Sequence, residues 1–396
     1  MKKTAALVLT FLMTLSLFAC AGNQTAETPQ ETTSSAPSST APSTEPSTEA
    51  GNEPNAEPSA DGTVGYLTDD VDHFGRDPYE LVYLYGIPVP ISANVFTSLE
   101  RLGEKMNFTI NSFCADGDMA KYVEFVETYI DMGVDGFLCS PQQDVMLRTD
   151  ELCSEANVPY INMMTTYADE NGHTLKPVVS FDGYQAGMNI VDWLVENYTD
   201  YFGDVDLADI GFMTLNFSVA TEFNVRAFGA QDQYKNLHPE LADNVFDIDL
   251  LDIGFSVDAG YDKAAATMSA NSDIEYWFIF GVAEDFAVGA ARAVESLGKD
   301  AQVLVVSTGN DFCFELWGEE GNTACWVATV PVYMTELAVP MAAGILALID
   351  GRATNETLWE DLRADGDFAT QYNTPVDVVT RDNYQQFISK ADAVLD

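Results

Sequence analysis

The chain has 396 residues, with 63 acidic against 17 basic side chains and a formal net charge of −46. So acidic a surface speaks against nucleic acid, whose phosphates require Lys and Arg. It favours solubility and leaves the fold open. With three histidines, six cysteines and no Cys-x-x-Cys, the chain is a poor zinc candidate.

The N-terminus reads MKKTAALVLTFLMTLSLFAC. Lys2 and Lys3 form a basic start, and the apolar run that follows is short for a membrane span, which takes about 20 residues. This is the layout of a secretory leader over 1–19. Leu17-Phe18-Ala19-Cys20 resembles a bacterial lipobox, which would make Cys20 the lipidated first residue of the mature chain. An ordinary cleaved leader or an uncleaved anchor would export the protein equally. Residues 20–61 are Ser, Thr, Pro, Ala and Glu with no Lys or Arg. Such a segment buries too little to offset its ordering entropy, and proline with repelling glutamates extends it. A lipidated cysteine on this tether places the body at the outer face of the cytoplasmic membrane.

The remaining body is long enough for two domains. Asp69, Asp70, Asp72 and Asp77 share a loop that either binds calcium or is simply solvated; it lacks the EF-hand glycine and terminal Glu. From Tyr79 onward, apolar runs alternate with amphipathic stretches. YELVYLYGI is followed by a helix over 94–106, FTINSFC by one over 119–131, and VDGFLCS by one over 144–156, before VPYINMM and PVVSF. Helix 119–131 sets Tyr122, Val123, Val126, Tyr129 and Ile130 on one face, behind an Asp118 cap. The pattern then restarts, with helices over 184–198, 220–236, 259–270 and 286–297. These lead into ADIGFMTL, VFDIDLL, EYWFIFGV and AQVLVVST in pairs, followed by DFCFELWG, CWVATV and an apolar helix over 335–349.

Near-continuous apolar strands expect helices on both sheet faces. Alternation with right-handed crossovers expects two doubly wound parallel-sheet lobes, an α/β fold with a ligand cleft between them. In such sheets ligands lie beyond the strands' carboxyl ends. Cys114 and Cys139 fall in strand runs as buried thiols; a disulfide between Cys313 and Cys325 is the alternative in an exported protein. No Gly-x-Ser-x-Gly, His-Glu-x-x-His or phosphate loop is present, so neither catalysis, metal nor cofactor is expected.

The order of several motifs resembles the type 1 periplasmic binding proteins, specifically the ribose-type sugar-binding subunits of ABC importers. The carriers are MGVDGFLCSPQQ (132–143), ANVPYIN, VVSFDGYQAGMNIVDWL, NVRAFGAQ, EDFAVGAARAVESLG and VDVVTRDN, in this order over about 79–383. The resemblance implies three crossings between lobes near Phe181, Thr329 and Gly351. That gives one lobe from 62–181 plus 330–351 and the other from 182–329 plus 352–396. It implies a monomer that closes on a sugar or sugar-like solute and passes it to an ABC permease, touching the membrane through its lipid alone. The same fold can serve a receptor-linked ligand sensor, and an exported cleft enzyme is a more distant reading.

Arg226 matches the arginine that the family points at sugar hydroxyls, and its five donors in a fixed fork suit that task; pairing with Glu222 is the plain alternative. Phe96 falls where the family stacks an aromatic on the sugar face, or it is a core residue beside Leu99 and Leu102. Ser92 and Asn94 share its loop. Asp116 and Gln142, with Gln143, follow the second and third strands, Asp116 also being a candidate helix cap with Asp118. Asn216, with Phe217, and Phe255 face them from the second lobe. Four positions depart from the sugar-binding pattern. Met164-Thr165 replaces an aspartate-arginine pair, and Ala283-Glu284, followed by Asp285, replaces an asparagine-aspartate pair. Asn310 or Asp311 must stand for another aspartate, and Thr329 replaces a glutamine. Either the alignment slips by a residue or two, or the ligand has fewer hydroxyls than a simple hexose.

Overall fold

The computed structural model of the protein describes residues 71–88, 90–319 and 325–395. The leader, Cys20, the tether, Asp69 and Asp70 lie outside the described residues. Asp72 caps a short turn, accepting the Phe74 N–H at 3.1 Å.

The first half alternates as expected: β1 (Tyr79–Tyr85), α1 (Pro90–Met106), β2 (Phe108–Cys114), α2 (Met119–Met132), β3 (Gly136–Ser140), α3 (Met146–Ala156), β4 (Tyr160–Met163) and β5 (Val178–Phe181). The second half repeats the pattern: α4 (Gly183–Phe202), β6 (Ile210–Asn216), α5 (Thr221–Leu237), β7 (Val245–Asp249), α6 (Val257–Ala270), β8 (Tyr276–Gly281), α7 (Glu284–Leu297), β9 (Val303–Thr308), α8 (Asp311–Gly318) and β10 (Trp326–Val330). After β10 come α9 (Met334–Ile349), β11 (Gln371–Thr374), β12 (Val379–Thr380) and α10 (Tyr384–Asp392).

Two six-stranded sheets result, ordered β11-β5-β4-β3-β1-β2 and β12-β10-β9-β8-β6-β7. All pairings are parallel except β12 on β10. β3, β4, β5, β6, β9 and β10 are buried along nearly their whole length. That is why these runs read as apolar without alternation. Local signals set the helix ends. The Asp118 side chain accepts the N–H groups of Ala120 and Lys121 at the start of α2, and Gly133, at φ 83°, ends it.

Strand pairing moves one expected crossing. β11 pairs with β5 in the first sheet, whereas β12 pairs with β10 in the second. The chain therefore makes its third crossing between Thr374 and Val379, not near Gly351, and residues 352–374 lead into the first sheet. α9 joins the first lobe, packing across β3, β4 and α1.

Two helix pairs in the second lobe approach backbone to backbone. A Cβ on Gly187 of α4 would lie 2.1 Å from the Arg226 carbonyl oxygen, and one on Gly229 of α5 would lie 2.0 Å from that of Tyr184. In α6 and α7, Gly260 faces the Phe286 oxygen at 2.6 Å and Gly289 the Val257 oxygen at 2.2 Å. Only a residue without Cβ fits these four places.

All five cysteines of the described residues are free thiols, four buried and Cys114 half-buried, so the Cys313–Cys325 bond is not formed. Among the described residues no cluster of His, Cys, Asp and Glu has metal-holding geometry, and no helix is long and apolar enough to cross a membrane.

Candidate functional site

In both sheets the parallel strands end together. Register places Tyr85 beside Cys114 and Ser140 in the first sheet, and Asn216 beside Asp249, then Thr308 beside Val330, in the second. In the first sheet, β5 ends at Phe181. The Arg226 guanidinium, from α5, stands 5.2 Å from its ring centroid and 4.9 Å from that of Phe223.

Arg226 is 7 % exposed. Its Nη1 donates to the Val282 carbonyl oxygen at 2.9 Å and to Thr308 Oγ1 at 2.8 Å, and Thr308 Oγ1 donates to the same carbonyl at 2.6 Å. Burial lowers its pKa to about 10, opposed by the Glu222 charge, so it stays protonated at neutral pH. The fork is therefore committed in part to its own lobe. One arm clamps the ends of β8 and β9, and the plane stacks between two rings. Its Nε is buried with no protein partner, and Nη2 makes no hydrogen bond among the described residues, which leaves three of the five donors for other acceptors.

The other second-lobe candidates are also drawn inward. Asn216 is 2 % exposed; its Nδ2 donates to Asn224 Oδ1 at 2.8 Å and its Oδ1 accepts the Phe217 N–H at 2.7 Å. Thr329 is fully buried, donating to the Gly309 carbonyl at 2.6 Å and accepting from Ser307 Oγ at 2.8 Å. Glu284 accepts the N–H groups of Asp311, Phe312 and Cys313 at 2.8, 3.2 and 2.9 Å, capping α8. Burial nevertheless lifts its pKa to about 7, against the pull of those bonds. All three were expected to read ligand hydroxyls. Each instead satisfies neighbouring backbone or side chains, as a buried polar group must. Asn310 is buried, its amide 3.4 Å from the Asp311 carboxylate, and Asp311 is exposed. Phe255 is 42 % exposed and belongs to a ring cluster, stacked on Phe223 at 5.3 Å and packed against Phe286 at 4.7 Å and Phe217 at 5.5 Å.

The first lobe keeps more of its polar groups open. Ser92 and Asn94 lie in the first turns of α1, not in a loop, because the helix begins at Pro90. Proline is favoured at a helix start. Ser92 is buried on the Tyr83 hydroxyl, whereas Asn94 is exposed. Phe96 is half-buried with its ring parallel to Tyr83 at 6.4 Å, which makes it part core and part rim. Gln142 and Gln143 are exposed, with Gln142 Cγ beside Gly86. Asp116, at φ 56°, pairs with Lys121 at 3.0 Å, and that bond holds its carboxyl below the usual range.

β4 ends in a backbone strain that its residue types hid. Met164 adopts φ 64°, rare for a long side chain, while its N–H donates to the Val179 oxygen at 2.9 Å. Thr165 Oγ1 donates to the Pro141 oxygen at 2.9 Å and Thr166 Oγ1 to Gln371 Oε1 at 3.0 Å. The two threonines knit β3, β4 and β11 together, leaving Met164 half-buried in place of the family's acid.

Four residues of the site went unnamed in the sequence: Phe223, Phe286, Ser218 and Asp249. Phe223 stands one turn before Arg226, a spacing that could have revealed it. Asp249 is a strand-end aspartate; it accepts the Ser218 hydroxyl at 2.5 Å and the Leu251 N–H at 3.0 Å.

Residues 91–352 match the family model for the periplasmic binding protein domain, well over half of the 396-residue chain. No curated protein sequence matches. An arabinose-binding protein from Geobacillus stearothermophilus superposes with a TM-score of 0.59 at 16 % identity, covering 79 % of this chain and 99 % of that one. An ABC transporter periplasmic solute-binding protein from Actinobacillus succinogenes, with bound D-allose, gives 0.58 at 14 % identity over 78 % and 100 % of the two chains. A 5-methylthioribose transporter solute-binding protein from Thermotoga lettingae gives 0.57 at 16 % over 81 % and 95 %. At these identities the likeness is one of fold. The matched family model, over two parallel sheets joined by three crossings, fixes the family: the chain belongs to the periplasmic binding proteins, in their type 1 form.

Proposed function

We propose that the protein captures a sugar or sugar-like small molecule in the cleft outside the cytoplasm and delivers it to an ABC importer. The observation that carries this reading is the contact of Arg226 in one lobe with Phe181, the last residue of β5 in the other, in a chain that crosses three times between two parallel sheets. Three narrow crossings let two rigid lobes hinge, so a solute touching both favours the closed form, which a permease can read. The structural neighbours that carry D-allose and 5-methylthioribose support a sugar-like solute. The second of these ligands has a thioether in place of a hydroxyl, in keeping with the hydroxyl-reading side chains this chain lacks. Lipidation at Cys20, with the 20–61 tether, would hold the body at the outer membrane face. The protein retains its ligand unchanged, acting as a binder and not an enzyme.

A thermal-shift screen of pentoses, hexoses, deoxysugars and nucleosides tests the reading. A ligand bound only by the folded state raises the melting temperature, by an amount that grows with its concentration. At least one such compound is expected to do so and to be recovered intact. If none does, or if the bound compound is turned over, the proposal fails.

A further inference from the structure

We infer that the ligand is two-sided, a sugar-like moiety carrying an aromatic or otherwise apolar substituent, and that the second lobe's phenylalanine cluster receives that substituent. This inference rests on the cleft being a solute site.

The argument is one of hydrogen-bond capacity. At the carboxyl ends of β6, β7 and β8, Asn216, Asp249, Glu284 and one arm of Arg226 already hold partners within their own lobe. Of these groups only Arg226, through Nε and Nη2, keeps donors without a partner among the described residues, so a hydroxyl-rich ring placed against them would gain few bonds for the water it loses. What these strand ends do present is aromatic. Phe217, Phe223 and Phe255 are partly open above a fully buried Phe286, with ring centroids 4.7–6.4 Å apart. The rim continues the same character, with Val219 64 %, Leu251 47 % and Ile253 44 % exposed. The cluster adjoins the ligand side and not a remote surface, because Phe223 shares the Arg226 guanidinium with Phe181 of the first sheet. In the first lobe, Asn94 and Gln142 are exposed amides that follow β1 and β3, suited to hydroxyls. An aromatic or apolar group gains offset or edge contacts on such rings that a bare sugar cannot fill as completely.

The test is isothermal titration of matched series. D-glucose, D-galactose, D-xylose and D-ribose are each compared as the bare sugar, the methyl glycoside and an aromatic derivative. The aromatic members are phenyl β-glycosides of the first three, and adenosine and uridine for ribose. The expectation is that at least one aromatic member binds tenfold or more tightly than its bare parent. Phe255→Ser or Phe223→Ser should then shrink that ratio below threefold. Phe255→Leu, which keeps apolar bulk, serves should the serine variants fail to fold, and should lower the ratio less. A bare sugar that binds as tightly as every derivative overturns the two-sided ligand while leaving the solute-binding reading intact. A ratio that survives both phenylalanine changes overturns the placement. Silence across all series sinks this inference together with the proposal beneath it.

Discussion

Arg226 and Phe181 form a contact between the lobes whose strength the geometry allows to be weighed. Arg226→Ala removes two hydrogen bonds from a charged donor, at about 1.5–3 kcal/mol each, and stacking on two rings, at about 0.5–2 kcal/mol each. It orphans no acceptor, because Thr308 Oγ1 still donates to the Val282 oxygen. It also relieves the burial of a cation whose pKa is held at about 10 instead of 12.5, a cost on the order of 3 kcal/mol. The balance is a net destabilisation of roughly 1–7 kcal/mol. Phe181→Leu keeps the apolar volume and removes only the ring. In a double-mutant cycle followed by urea unfolding at pH 7, the pair should show a coupling of about 0.5–2 kcal/mol. The parallel cycle with Phe223→Leu reports the stack inside the second lobe. If Arg226→Ala and Phe181→Leu add to within about 0.3 kcal/mol, the cross-lobe ring contact carries no energy and Arg226 serves its own lobe alone.

Two further outcomes follow from the same structure. Burial lifts both Glu284 and Glu336 from 4.5 to about 7, Asp377 adding to Glu336 and Lys390 opposing it. The folded state then holds protons that the unfolded chain has released. Stability therefore falls as pH rises from about 4.5 to 7 and levels off above, by on the order of 3 kcal/mol per group. Urea midpoints at pH 5 and pH 8 should show the loss, and Glu284→Gln with Glu336→Gln should flatten it; an unchanged slope in the double variant refutes the assignment. Gly229→Ala drives a methyl against the Tyr184 oxygen, where only 2.0 Å is free. It should cost about 2–3 kcal/mol and lower Tm by roughly 5–10 °C; a Tm within about a degree of the parent would show that α4 and α5 do not cross this closely.

The architecture was legible because burial on both sheet faces writes itself into sequence as long apolar runs, and helix ends moved by only a few residues. The third crossing was misread for the opposite reason. β11, QYNT, is an edge strand whose side chains are mostly polar, and nothing local marks it as the partner of β5. Chain order placed Asn216, Glu284 and Thr329 at strand ends or helix starts, where the structure has them. It could not tell which partners would claim them, since those lie 8 to 29 residues away in sequence. A residue type declares its hydrogen-bonding capacity, and only the fold declares how much of it remains.

That distinction separates the two halves of the cleft. In the second lobe, four glycines let α4 meet α5 and α6 meet α7 at backbone distance, which fixes the helices that carry Phe223, Arg226 and Phe286. Their side chains are ringed by hydrogen bonds and aromatic neighbours before any ligand arrives, so little conformational freedom is left there to lose. In the first lobe, Asn94 and Gln142 are exposed. Each would lose about 0.5–1.5 kcal/mol of rotamer freedom on being immobilised. A solute that meets the aromatic face first and gathers the amides afterwards encounters these costs in order, with the rigid, apolar contact made before the ordering loss is incurred. On the proposed reading, lobe closure would depend on the first-lobe amides finding acceptors and donors on the solute. Substituting Gln142 or Asn94 should therefore weaken closure more than initial capture, whereas the phenylalanines should govern capture itself.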